Sequence, residues 1–477
     1  MRRFLPRSGR SIRLEKINSA LSPEEIFSFF SCLEGACFLN SSLETEEAGY
    51  SFIGLFPFFS IESRGAAMKL TFGSQGMQAM GNPLKVLASA QEAYKVKNDT
   101  PFPLIAGGMG FFSYETKNLI EHLPRPLIDD VGTPDIYFSF YRCILIFDRN
   151  SPGYFYAGLM DMPGIRGETP DEIISFIKKA IKGPLPEECS VLRSAKSGDS
   201  GIKTLPGSNF SKSSYVKAVQ KVLAHIKEGD IYQACLSQRF TADWDSSGYG
   251  LYLGLNKRNP SPFSAYLKAG DISVVSASPE LFMRRRGDVI ETRPMKGTRP
   301  RGKTREDDAA RKEELSKSAK DAAELLMIVD LERNDIGKIA VPGTVKVETA
   351  RLIETHPTVF QAISVVKGTI RENAGNMDII EAAFPGGSIT GCPKIRAIEI
   401  INDIERYARG VYTGAIGYMS FHDTMDLNVA IRTMTLKGGR LYFGSGGGIV
   451  SDSDPEEEYE ETLVKARALM EAASLRA

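Results

Sequence analysis

Strand-like and helix-like runs interleave along the whole chain, which excludes all-α and all-β architectures and leaves an α/β (α+β) fold. Residues 1–190 alternate β-branched and aromatic runs with Gly and Pro punctuation, so "YSFIGLFPFFSIES" (50–63), "GGMGFFSYE" (107–115) and "CILIFD" (143–148) are predicted strands. Beyond a polar stretch at 194–215 the period changes. "SKSSYVKAVQKVLAHIKEGD" places Val216, Val219, Val222, Leu223 and Ile226 on one helical face and stops near Gly229. "VVSASPELFMRR" and "DVIETRPM" predict a hairpin around Gly287-Asp288. "SAKDAAELLMIVDLERNDIGK" and "CPKIRAIEIINDIE" predict helices, "TGAIGYMSF" and "RLYFGSGGGIV" predict strands, and "DPEEEYEETLVKARALMEAA" predicts a closing helix. The polar stretch has almost nothing to bury. It suggests an N-terminal region 1–195, a linker 196–214 and a second region 215–473.

Charge and cysteine usage narrow the function. Fifty-nine basic residues balance fifty-nine acidic ones, whereas electrostatic nucleic-acid binding needs a basic excess. No run of about 18 apolar residues predicts a membrane span, and the basic start "MRRFLPRSGRSIRLEK" lacks the apolar stretch of a secretory signal. The six cysteines contain no C-x-x-C and are expected to be reduced thiols of a cytoplasmic protein. The four histidines lie far apart without zinc spacing, so a metal here must be held by carboxylates.

Carboxylates do come in pairs. Asp321 and Glu324 lie i, i+3 on one predicted helix, and Glu458, Glu461 and Lys465 are spaced i, i+3, i+7 on the last. Two helices offering two carboxylates each can hold one hard cation such as Mg²⁺. Asp454-Pro455-Glu456-Glu457-Glu458 is equally what a helix start looks like. "GSGGGIV" (444–450) fits neither the dinucleotide nor the Walker pattern; its glycines allow either a close backbone approach to an anion or a tight strand bend. Arg432 sits in an otherwise uncharged strand-like run, and a buried arginine needs a structural or a substrate carboxylate. Lys296, in "RPMKGTRPRG" (293–302), is held between a Pro-Met step and a Gly-Thr turn. It is either a solvated strand end or a nucleophile, with Arg293, Arg299 and Arg301 close in sequence and of the sign that favours a neutral amine.

Taken in order, "GDIYQACLSQRF" (229–240), "SASPELF" (276–282), "ETRPMKGTRPRG" (291–302), "AAELLMIVDLERNDIGK" (322–338), "FPGGSITGCPKIRAIEII" (384–401), "GAIGYMSF" (414–421), "IRTM" (431–434) and "GSGGGIVSDSDPEEEYEETLVKA" (444–466) resemble the chorismate-utilising enzymes. "YSFIG" (50–54) and "GGMGFFSYE" extend the similarity, more loosely, into the N-terminal half. The resemblance implies two packed β-sheets with surrounding helices. It implies Mg²⁺ on Glu324 and Glu461, with Asp321 and Glu458 as their neighbours. Chorismate carboxylate would be bound by Arg432, Lys465 and the backbone at Gly446 and Gly447, in a pocket lined by Tyr418 and Thr390. Glu280 matches the acid/base near the ring C4 hydroxyl. Members that add water at C2 carry lysine where this chain has Gln233, and anthranilate synthases usually have a small residue at position 296. Lys296 is what aminodeoxychorismate synthases place there, as a nucleophile adding at ring C2.

The implied reaction is Mg²⁺-dependent amination of chorismate at C4, giving 4-amino-4-deoxychorismate for 4-aminobenzoate and folate synthesis. No glutaminase constellation is present, so ammonia is expected from a separate glutamine amidotransferase subunit. The alternatives are anthranilate synthesis and a non-catalytic chorismate-binding subunit. Many relatives have histidine in a "VxHLVS"-like segment where "VFQAIS" puts Gln361, and glutamine cannot act as an acid or base. "FLNSSLE" (38–44) only partly resembles the element with which anthranilate synthases bind tryptophan.

Overall fold

The computed structural model describes residues 11–43, 49–162, 167–187, 206–356 and 359–472. The mixed α/β expectation holds. Among the described residues, helices surround twenty-two strands, and every pairing between these strands is antiparallel. The strands that the resemblance divides between two packed sheets are linked here into one continuous hydrogen-bonded network.

Of the expected linker, residues 196–205 lie outside the described residues. The rest already has structure: Gly207–Ser208 pairs with Phe240 and Thr241, and a helix begins at Lys212. Strands on either side of this stretch pair with one another. Cys37–Asn40 lies against Phe263–Ala269, and Gly107–Phe112 runs beside Ala415–Ser420 in full register, Phe112 opposite Ala415.

The elements around the motifs at 322–338 and 444–466 follow from their residue types. The helix Ala319–Gly337 is capped by the Ser318 hydroxyl, which accepts from the Asp321 N–H. Leu325, Val329 and Ile336 of this helix join Phe360, Ala362 and Val366 of the strand Val359–Thr369 in one apolar cluster. Burial of each such side chain favours folding by about 1.5–3 kcal/mol. Its other side is left free to carry acids. The final helix Pro455–Ala472 has Pro at its start and Glu456, Glu457 and Glu458 in its first turn, complementing the helix dipole.

Two expectations are revised. The run "VVSASPELFMRR" is two strands, Ile272–Ser278 and Leu281–Arg286, rather than one. Pro279 has no N–H for a ladder, and the chain leaves the sheet there, held by Ser278 Oγ donating to the Val429 carbonyl at 2.5 Å. "GSGGGIV" makes no bend: its glycines lie inside the strand Arg440–Ile449, with Gly446, Gly447 and Gly448 opposite Ser237, Leu236 and Cys235. The five described cysteines, Cys32, Cys37, Cys143, Cys235 and Cys392, are free thiols, and Cys189 lies outside the described residues.

One buried ion pair ties these parts together. Arg409 donates to both oxygens of Glu405, from Nε at 2.8 Å and Nη2 at 2.7 Å, and to the carbonyls of Cys235 and Ile389. Glu405 also accepts from the N–H and hydroxyl of Ser237. The side chains are 3% and 5% exposed. Removing one member of such a pair leaves a buried charge uncompensated. Arg409→Ala is therefore expected to lower stability by roughly 3–5 kcal/mol; a urea midpoint equal to that of the parent protein would refute it.

Candidate active site

Lys296 lies in the strand Met295–Pro300, opposite Ala362. The pairing slips between Lys296 and Thr298, where Gly297 adopts φ 77°, a conformation that favours glycine. A methyl group at Gly297 would also fall 2.8 Å from Asp321 Cγ. The bulge turns the lysine towards the helix Ala319–Gly337, and its Nζ stands 3.6 Å from Glu324 Oε2. Lys296 and Glu324 are both largely buried, at 16% and 17% side-chain exposure.

On the facing strand, a methyl group at Gly448 would fall 3.1 Å from Lys296 Nζ and 3.1 Å from Gln233 Nε2. The Gln233 amide is fully buried, and neither its oxygen nor its nitrogen has a hydrogen-bond partner. Left so, the amide carries the cost of an unsatisfied buried polar group, which a bound molecule could relieve. One residue earlier, a methyl group at Gly447 would fall 2.9 Å from Glu458 Oε2 and 3.5 Å from Glu461 Oε1. The last helix thus brings its two carboxylates onto the glycine backbone beside Lys296. Lys465 pairs with Glu461 at 2.5 Å and donates to the Gly446 carbonyl at 3.0 Å.

The charges interact strongly. Burial acts to raise the Glu461 carboxyl, but the ammonium groups of Lys465, Lys296 and Lys320 more than offset it, and the net shift is downward. Burial pushes Glu458 up, the Ser453 hydroxyl donating at 2.6 Å opposes this, and repulsion from Glu461 adds to it. Crowded oxygen donors of this kind, two from one helix with Glu324 across the lysine, fit a hard divalent cation. Lys320 was not anticipated from the sequence, although it precedes Glu324 by four residues and so shares its face.

Glu280 occupies the break between its two strands. It is 4% exposed and its carbonyl accepts from the Val429 N–H at 3.0 Å. Burial raises its carboxyl to about 7, against the lowering influence of the Ser388 hydroxyl and the Lys296 ammonium. Ser388 belongs to the turn Gly387–Ile389, in which Thr390 Oγ1 donates to the Gly386 carbonyl at 2.8 Å and the Thr390 carbonyl accepts from Cys235 N–H.

Other expected residues are placed differently. Asp321 pairs with Arg299 at 3.1 Å, on the Gly297 side of the helix. The arginines near Lys296 spend their charge on carboxylates of their own: Arg293 on Glu291, Arg299 on Glu314 and Asp321, Arg301 on Asp308. Clustering in sequence therefore does not bring three free cations to the lysine. Arg432, at φ 50°, lines a cavity with Met295, His356 and Gln361, and among the described residues its guanidinium makes no hydrogen bond or ion pair. Burial pushes its pKa down, and the strained backbone persists because the surrounding strands enforce it. Gln361 Nε2 donates to Met295 Sδ. Tyr418 is not brought to the lysine. It points to the opposite side of its strand, edge-on to Phe52, into a cavity with Asn40, Arg284, Arg286 and Asp426.

The site thus sets a lysine and acid groups around a glycine backbone. Residues 37–471 match the family of chorismate binding enzymes, and the chain belongs to it. It is 36% identical over 435 residues to aminodeoxychorismate synthase component 1 of Bacillus subtilis (strain 168), covering 91% of each chain. It is also 36% identical to anthranilate synthase component 1 of Acetivibrio thermocellus, over 91% of this chain and 90% of that one. The solved anthranilate synthase component I from Streptococcus pneumoniae TIGR4 superposes with a TM-score of 0.75 at 29% identity, covering 95% of this chain and 99% of the other.

Because the folded chain holds the Glu280 proton more tightly than the unfolded chain, stability falls as pH rises from the ordinary carboxylate range through about 7. Glu280→Gln removes that loss. Unfolding of this variant should differ little from the parent at pH 4 and be harder by roughly 3 kcal/mol at pH 8; parallel stability curves would exclude the buried titration.

Proposed function

We propose that this chorismate-utilising enzyme is component I of an aminodeoxychorismate synthase. The observation that carries the reading is Lys296 Nζ, turned by the Gly297 bulge to meet Glu324 and the Gly448 backbone beside the unpartnered Gln233 amide. A solvated strand end has no reason to occupy that position.

In this reading Arg432, Lys465 and the Gly446-Gly447 backbone hold the dianionic substrate. Glu324 and Glu461, beside Glu458, would hold Mg²⁺, which would supply Lewis-acid stabilisation of negative charge on the substrate. The Lys296 amine adds at ring C2, the double bonds shift, and the C4 hydroxyl departs as water with the Glu280 proton. Ammonia then adds at C4, the double bonds shift back, and the C2–N bond to Lys296 breaks. The proton shed by the incoming nitrogen restores Glu280. One ammonia enters and one water leaves, and the enolpyruvyl group stays. Gln361, unable to move a proton, accords with a product that keeps that group. Ammonia is supplied by a separate glutamine amidotransferase subunit, a reading supported by the "component 1" in the relatives' names.

Incubating the purified protein with chorismate, Mg²⁺ and an ammonium salt is expected to give a product that retains the enolpyruvyl group, with no pyruvate released. Lys296→Ala should lose at least roughly a hundredfold in rate. Anthranilate with equimolar pyruvate would instead assign the chain to anthranilate synthesis.

The cation site has its own test. Glu461→Gln replaces a charged hard ligand by a neutral one, so half-maximal activity should need roughly tenfold more Mg²⁺. A superimposable Mg²⁺ titration would remove Glu461 from the cation site.

A further inference from the structure

For Lys296 to face Glu324, the strand carrying one must be fixed against the helix carrying the other. Two polar ties bracket the lysine. Three residues after it, Arg299 reaches Asp321 at 3.1 Å, through a side chain 26% exposed. Four residues before it, in the preceding strand Val289–Arg293, Thr292 Oγ1 donates to Glu332 Oε2 at 2.8 Å, with Thr292 fully buried and Glu332 8% exposed. Asp321, Glu324 and Glu332 lie on the same helix, so the two ties grip it on either side of Glu324.

Glu332 has no part in the mechanism above. It lies beneath the turn Gly387–Ile389: a methyl group at Gly387 would fall 2.8 Å from Leu331 and 3.7 Å from Glu332 Cγ. Burial pushes its carboxyl well above the ordinary range. Glu280 and Asp335 push the same way, while the Thr292 hydroxyl and the Lys394 ammonium oppose them. Lys394 is itself occupied, at 2.5 Å from Asp335 and 2.7 Å from the carbonyls of Ala383 and Pro385. In the bond to Thr292 the carboxyl oxygen is the acceptor, a role that the amide oxygen of glutamine can reproduce.

We propose that Glu332 is a positioning residue: through its hydrogen bond to Thr292 it fixes the strand Val289–Arg293, which leads through Pro294 into the Lys296 strand, against the Glu324 helix and so sets where the lysine amine meets the substrate ring. The inference rests on the reading of Lys296 as nucleophile. Displacing a reacting group by about an ångström slows its step on the order of a hundredfold.

The test is the rate at which chorismate, with Mg²⁺ but without ammonia, adds to the full-length protein, read by intact mass as a gain of chorismate less water. Thr292→Val keeps the shape and loses the hydroxyl; it should slow the adduct on the order of a hundredfold, with KM for chorismate and melting temperature close to the parent's. Thr292→Ser and Glu332→Gln keep the bond and should stay within a few-fold of the parent. A Thr292→Val protein that reacts at the parental rate, or one whose loss of rate follows a loss of melting temperature that Thr292→Ser does not rescue, overturns the proposal. If the parent forms no adduct, the nucleophile reading falls, and kcat for ammonia-dependent turnover of the same variants then decides the positioning role.

Discussion

Everything near Lys296 depends on three side chains that are not there. Gly446, Gly447 and Gly448 form an ordinary ladder with Ser237, Leu236 and Cys235, yet at Gly447 and Gly448 the space a methyl group would fill is taken by Glu458, Glu461, Lys296 and Gln233. Polar groups from two strands and the last helix are therefore able to converge on bare backbone. Any side chain there would separate the last helix from the lysine. The glycines keep the strand in its ladder while making room for these groups, a close-approach role and not a conformational one.

Around that space the protein arranges its charges by depth. Exposed or half-exposed arginines near the lysine are matched one by one with carboxylates, which settles their charge locally. The deeper groups of the site are left in tension: Glu280 raised by burial, Glu458 raised further by Glu461, and Gln233 without partners. Groups held this way cost stability when the site is empty and repay it only when a ligand supplies the missing partners. Arg432 belongs with them, a buried cation on a strained backbone facing a cavity.

Much of this was legible from residues alone. Strong periodicity and capping gave the helices at Ala319–Gly337 and Pro455–Ala472, and the i, i+3 spacing put Asp321 with Glu324 and Glu458 with Glu461. What was not legible depended on partners distant in sequence. Whether the glycine run bends or runs straight is decided by the strand Gln233–Asp243, some two hundred residues earlier. Asp321 looked equivalent to Glu324 until Arg299 claimed it. Tyr418 sits in a motif that resemblance assigns to the pocket, but alternation along its strand sends the ring to the other side. The division of "VVSASPELF" at Pro279 was available, since proline cannot serve a ladder, and that break is where Glu280 emerges.

The pairing of Gly107–Phe112 with Ala415–Ser420 bears on how the chain is made. During synthesis the first strand leaves the ribosome about three hundred residues before the second exists. Its neighbour on the other side, Ile136–Asp148, is available early, so one edge is satisfied and the other is not. That open edge carries "GGMGFF", wholly buried in the finished protein. A nascent chain therefore exposes an apolar, unpaired strand for most of its elongation, the condition under which chains associate with each other or with chaperones. That edge needs protection until Ala415–Ser420 arrives to close it.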